Sequence, residues 1–143
     1  MQNESIRKLI GRGISFPFVP NNASGVATNE LVDRINQSLF ILFETPKGSR
    51  LMLPDFGSDV QKFRFDPLDR VLLERLRYTI NEDIKKWEPR VIVTSIEFLE
   101  DTNMIDNSIL YISIYYNIIN TPVSGNYVYP FKRETYDSVD SRY

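Results

Sequence analysis

The chain has 143 residues with 42% apolar and 25% charged side chains, a composition that suits one globular domain rather than a disordered segment. Its net charge of −2 at pH 7 gives no basic field, and its Lys and Arg are interleaved with acids, which excludes nucleic acid as a partner. With no cysteine and no histidine, disulfides, thiol catalysis, Cys/His zinc sites and a Ser-His-Asp triad are all excluded, and no cofactor or metal is expected.

Residues 1–28 read as an extended N-terminal arm. "GRGISFPFVPNNASG" places Gly11, Gly13, Pro17, Pro20 and Gly25 where they break helix and strand alike, with Phe16 and Phe18 available to pack on the body. No run approaches the ~20 apolar residues of a membrane span, and the N-terminus lacks the apolar core of a signal peptide; the expectation is a cytoplasmic product without a membrane partner.

The domain proper is expected over 29–131. Thr28 or Asn29 can cap a first helix carrying the stripe Leu31, Ile35, Leu39, Leu42, with Val32, Phe40, Ile41 and Phe43 widening the buried face. Pro46 and Gly48 stop it, and "TPKGSRLMLPDFG" reads as a turn, a short strand around 50–53 and a second turn. The order of Lys, Gly and Ser in "PKGSR" does not make a phosphate loop. A second helix follows, with Asp66 as N-cap, Pro67 in its first position and Leu68, Leu72, Leu76, Ile80, Ile84 and Trp87 on one face.

From Arg90 the period becomes two. Ile92, Thr94, Ile96 and Phe98 are expected on one face of a strand. After the turn-rich "EDTNMIDN", Leu110, Ile112, Ile114, Tyr116 and Ile118 share a face of the next, opposite Ile109, Tyr111, Ser113, Tyr115 and Asn117. "NYVYPF" supplies a third strand and 132–143 a polar tail. Helices followed by an antiparallel meander give an α+β fold. A sheet apolar on both faces, covered by helices on one, invites a partner chain on the other face or along an edge.

The corner Glu88-Pro89-Arg90 admits two readings. It is a local ion pair at the helix end, or a stiff presentation of two opposite charges to another protein. A third possibility, a two-carboxylate hydrolase acting on peptidoglycan, needs a paired-acid cleft that no stretch of the chain signals.

Several pieces together resemble a known family. "GRGISFPF", "ILFETPKGSRLMLPDFG" and above all "WEPRVIV" are similar in order and spacing to the gene-product-twenty-five-like baseplate wedge proteins of contractile-tailed phages and related injection systems, over roughly residues 11–131. One departure is Ser49, where relatives often carry an acid between glycine and arginine.

The resemblance implies a non-enzymatic wedge subunit in a virion or injection-particle baseplate, assembled in the bacterial cytoplasm. Its partners would be the helical core bundle of other wedge subunits, the tail sheath protein and a LysM-like or tube-proximal baseplate protein. It also implies docking through Glu88, Pro89 and Arg90, aided by Arg50 and Gly48. A sheath-facing sheet would carry Ile109, Tyr111, Ser113, Tyr115, Tyr127 and Tyr129 and take up a sheath arm by strand addition.

Overall fold

The computed structural model describes residues 32–99 and 109–134, together with the backbone of 13–14, 28–29 and 100. The expectations for Phe16, Phe18 and Leu31, most of the 100–107 loop and the end of the tail lie outside these residues.

Two short strands, β1 (Gly13–Ile14) and β2 (Thr28–Asn29), pair antiparallel. Thr28 and Asn29 are thus strand residues rather than caps of helix α1 (Val32–Glu44). In α1 the three- and four-residue spacing buries Ile35, Leu39, Leu42 and Phe43. Phe40 and Ile41 are exposed, so the C-terminal end of α1 is covered on one side only, not the several that its apolar run suggested.

A 3-10 helix, Val60–Phe65, precedes α2 (Arg70–Trp87). Asp66 closes the 3-10 helix in extended conformation, and the cap of α2 is Asp69, whose carboxylate accepts from Leu72 N–H at 2.7 Å. Helix α2 therefore starts later than Asp66-Pro67 suggested. Its apolar stripe, Leu72, Leu76, Ile80 and Ile84, is buried as spaced.

Strands β3 (Val91–Glu100), β4 (Ile109–Ile118) and β5 (Ser124–Lys132) form one antiparallel sheet in the order β3-β4-β5. In β4 the alternation holds, with Leu110, Ile112, Ile114, Tyr116 and Ile118 all buried. In β3 it does not. The register slips between Val93 and Ser95, and one extra residue in a strand of period two reverses every side chain beyond it. Val91 and Ile96 are both buried, with Val93 and Phe98 packed beside them, while Ile92 is exposed. α1, α2 and the 3-10 helix share one core with the inner face of the sheet.

Tyr116 links three elements. Its hydroxyl donates to Asn36 Oδ1 on α1 at 2.6 Å, and its ring lies over Gly125 on β5, where an added Cβ would come within 2.5 Å of it.

Candidate functional site

The corner that ends α2 is built as much from backbone as from charge. Glu88 N–H donates to Ile84 O at 2.7 Å, Val91 N–H donates to Glu88 O at 3.3 Å, and Arg90 O accepts from Ile119 N–H at 2.9 Å as β3 begins to pair. Across the exposed Pro89, Arg90 turns its guanidinium back onto Glu88. Nε meets Oε1 at 2.5 Å and Nη2 meets Oε2 at 2.6 Å, while Nη2 also reaches Ser38 Oγ on α1 at 3.5 Å. This is the bidentate fork that arginine makes with a carboxylate, and the bonds from Glu88 raise Arg90's pKa despite its partial burial. Glu88 is only 3% exposed. The sequence reading that kept both charges pointing outward is therefore corrected: the acid faces inward, and Pro89 and the accessible part of Arg90 form the outer surface of the corner.

Arg50 lies on the loop between α1 and the 3-10 helix. The short strand expected around 50–53 is absent, and the segment is a series of turns. Gly48 N–H donates to Pro54 O at 2.8 Å, Leu53 N–H to Arg50 O at 3.3 Å, and Phe56 N–H to Leu53 O at 3.0 Å. Ser49 spends its hydroxyl on Pro46 O at 2.7 Å, closing the turn. Gly48 has φ +87 with nothing near its Cβ position, so it serves the turn conformation alone. Gly57 has φ +120, and a Cβ there would sit 2.3 Å from Thr45 O, so both conformation and space require glycine.

The loop brings Arg50 toward the Glu-Pro-Arg corner through aromatic rings. Its guanidinium lies 5.0 Å from the centre of Phe56. That ring meets Trp87 edge-on at 5.1 Å, and Lys86 Nζ stands 4.9 Å from Trp87. Trp87 immediately precedes Glu88. Arg50 and the corner therefore share one side of the molecule, as neighbours through Phe56 and Trp87 rather than by direct contact.

A second polar group ties the same loop to α2. Lys47 Nζ donates to Asp83 Oδ1 at 2.9 Å and to Asp59 Oδ2 at 3.2 Å, and Ser58 Oγ donates to Asp83 Oδ2 at 2.6 Å. Asp83 is buried. Desolvation works against the Lys47 ammonium, but the bonds to the two acids prevail and raise its pKa. Lys62, foremost, and Lys47 pull the Asp59 carboxyl below its ordinary value. Sequence reasoning missed this group. The available signal was Asp83 itself, an acid three residues after Ile80 and seven after Leu76, inside the apolar stripe of α2.

The sheet residues singled out from sequence divide between two faces. Ile109, Tyr111, Ser113 and Tyr115 alternate away from the core positions of β4, although Ser113 is buried. Tyr127 and Tyr129 lie on the inner face. Their rings pack at 6.3 and 5.4 Å from that of Phe43 on α1, and Tyr129 is 2% exposed. Tyr129 is core and Tyr127 is partly buried against it, so these two members of the expected sheath-facing sheet point toward the helices. Ile92, Leu99 and Val128 are the exposed apolar residues that β3 and β5 contribute instead.

A groove of about 570 Å³ runs along α2 beside Phe63, lined by Arg70, Val71, Glu74, Arg75, Tyr78 and Thr79. The family described as baseplate wedge protein gp25 matches residues 29–123, which covers both turns of the loop, the corner and most of the sheet. The chain belongs to this family.

Baseplate protein W of Escherichia phage P2 is 32% identical over 76 residues, a match covering 53% of this chain and 65% of that relative. A chain of the anti-feeding prophage baseplate superposes with a TM-score of 0.61 at 22% identity, covering 93% of this chain and 94% of the other. A protein of Geobacter sulfurreducens bearing a tail-lysozyme label reaches a TM-score of 0.62 at 28% identity, over 71% and 90% of the two chains. The α+β fold is thus shared with baseplate components, and the family's role in contractile injection systems is structural.

Proposed function

We propose that this chain is a non-catalytic wedge subunit that joins the wedge core to the first ring of the tail sheath. In this reading the outer surface of the Glu88-Pro89-Arg90 corner, with Arg50 beside it, seats on the helical core of neighbouring wedge subunits, and the sheet accepts an extended arm of the sheath protein as an added strand.

The observation that carries the second half is the pattern of backbone donors at the sheet edges. Ile118 N–H donates to Val123 O and Ile119 N–H to Arg90 O, which fixes which pairs exchange bonds along each ladder. Counting from them, Tyr111 and Pro130 oppose each other in a pair without mutual bonds. Position 130 therefore faces the free edge of β5, where proline offers no donor. At β3, the last strand on the other side among the described residues, the same counting directs the N–H groups of Val93, Ile96 and Phe98 outward. The bulge beside Val93 twists this edge and guards it against casual pairing but leaves those donors in place. β3 is the edge assigned to the sheath arm.

Hydrogen exchange tests this directly. The amides of Val93, Ile96 and Phe98 exchange in the isolated chain and become protected in assembled particles. Protection appearing at Asn126 and Val128 instead, with none on β3, refutes the edge assignment.

The tail-lysozyme label of one structural relative keeps a hydrolase reading in view. Against it, the α2 groove is lined by a single carboxylate, Glu74, which stands 3.6 Å from Arg77. Asp59 is held below the ordinary carboxylate range rather than raised, as a general acid must be. Clearing of a peptidoglycan suspension by the purified chain, abolished by one Asp or Glu substitution, would reverse this conclusion.

A further inference from the structure

The tip of the loop between α1 and the 3-10 helix has no task inside the subunit. Leu51 and Met52 are 98% and 95% exposed, more than any other large apolar side chain among the described residues. Single exposed apolar residues are ordinary, but these two are adjacent and mounted on a stiff support. The bonds from Gly48 to Pro54, Leu53 to Arg50 and Phe56 to Leu53 shape the turn, and Gly57, packed against Thr45 O, anchors its base. None of those bonds uses a side chain at 51 or 52.

The surroundings narrow what such a tip could meet. At its root two cations flank an aromatic pair, Arg50 on Phe56 and Lys86 on Trp87, against one exposed carboxylate of the loop, Asp55. The exposed Pro89 stands two residues beyond Trp87. Two apolar side chains above a positively charged ledge suit an apolar recess with acids on its rim. A basic rim would meet Arg50 and Lys86 with like charge, and a wholly apolar one would strand them.

We propose that Leu51 and Met52 form a docking finger that enters an acid-rimmed apolar groove on a different baseplate subunit. The finger enlarges the corner contact into a larger surface. It rests on the baseplate reading above. Because the turn is already fixed in the free subunit, little order is lost on insertion, and the unbranched thioether of Met52 can follow an irregular groove wall.

The test places a photo-crosslinking residue at position 52 of the full chain, with position 62 as an exposed control, and irradiates complete particles. The expected product joins position 52, several-fold more efficiently than position 62, to a different baseplate polypeptide at a Leu/Ile/Val segment flanked by Asp or Glu. A Leu51→Ser/Met52→Ser chain is expected to melt like the parent and to enter particles at least tenfold less well.

Normal entry of the double-serine chain overturns the finger while leaving the baseplate reading intact. So does an assembled, normally stocked particle giving no crosslink from 52, or a crosslink to a basic segment or to a second copy of this chain. Absence of the unmodified chain from particles defeats both.

Discussion

Replacing Arg90 with alanine tests whether the corner is paired in the free subunit. Glu88 is 3% exposed and both of its oxygens are occupied by the Arg90 fork. Removing one partner of a fully buried pair costs about 3–5 kcal/mol, because a carboxylate is left desolvated without compensation. The Arg90 side chain is 26% exposed, so water can enter the vacated space and the cost falls to about 2–3 kcal/mol. For a chain of this length that corresponds to a melting temperature lower by about 6–12 °C. Urea and thermal unfolding of the isolated variant measure it, and the Glu88→Ala/Arg90→Ala double variant should recover part of the loss. A change under about 0.5 kcal/mol would refute the reasoning and return both charges to the outward role the sequence suggested. The result also bears on assembly experiments, since failure of Arg90→Ala to enter particles is evidence for docking only against an equally destabilised control elsewhere.

Three further outcomes follow from the packing. Gly57→Ala should cost more than about 3 kcal/mol, since it combines φ +120 with a backbone clash, whereas Gly48→Ala, with φ +87 in open space, should cost about 1 kcal/mol; equal melting shifts would contradict the loop geometry. Asp83→Ala should lower stability by about 2–4 kcal/mol, because Lys47 and Ser58 lose their shared acceptor, and a neutral effect in urea unfolding would show that the group is not formed. Stability should also fall at high pH. Burial, aided by Asp33 and Glu88, pushes the Tyr116 phenol up to about 12 from 10.0, so its contribution is complete below pH 10 and is lost as the pH rises toward 12. That amounts to about 2–3 kcal/mol. Tyr129 and Lys47 are raised as well and act in the same direction. A urea midpoint that stays flat to pH 11.5 would exclude this.

The elements that depend on local periodicity were legible in the sequence. Leu72, Leu76, Ile80 and Ile84 of the α2 stripe and the inner face of β4 are buried as the spacing requires, while Leu68, which lies ahead of the helix, and Trp87 at its end are only partly buried. The start of α2 is ambiguous in the sequence because Asp66-Pro67 and Asp69 are both good helix beginnings, and only the 3-10 helix packed ahead of them decides for Asp69. The phase of β3 was hidden because a bulge leaves no residue signature in "VIVTSIEF", yet reverses the alternation. The sequence admits the paired state of Glu88 without deciding for it, because its burial depends on α1 and β3 converging there, through Ser38 and Val91. Lys47 and Asp83 are 36 residues apart, and nothing local connects them. Tyr127 and Tyr129 look like surface aromatics in a short strand until α1 brings Phe43 over them.

Pro130 gives the sheet a handedness of growth. With the donor at position 130 missing from one flank and those of Val93, Ile96 and Phe98 directed outward on the other, an added strand meets a less interrupted ladder on the β3 side. Subunits stored before assembly are likewise hindered from zipping into fibres among themselves, since an end-to-end chain of sheets needs both flanks.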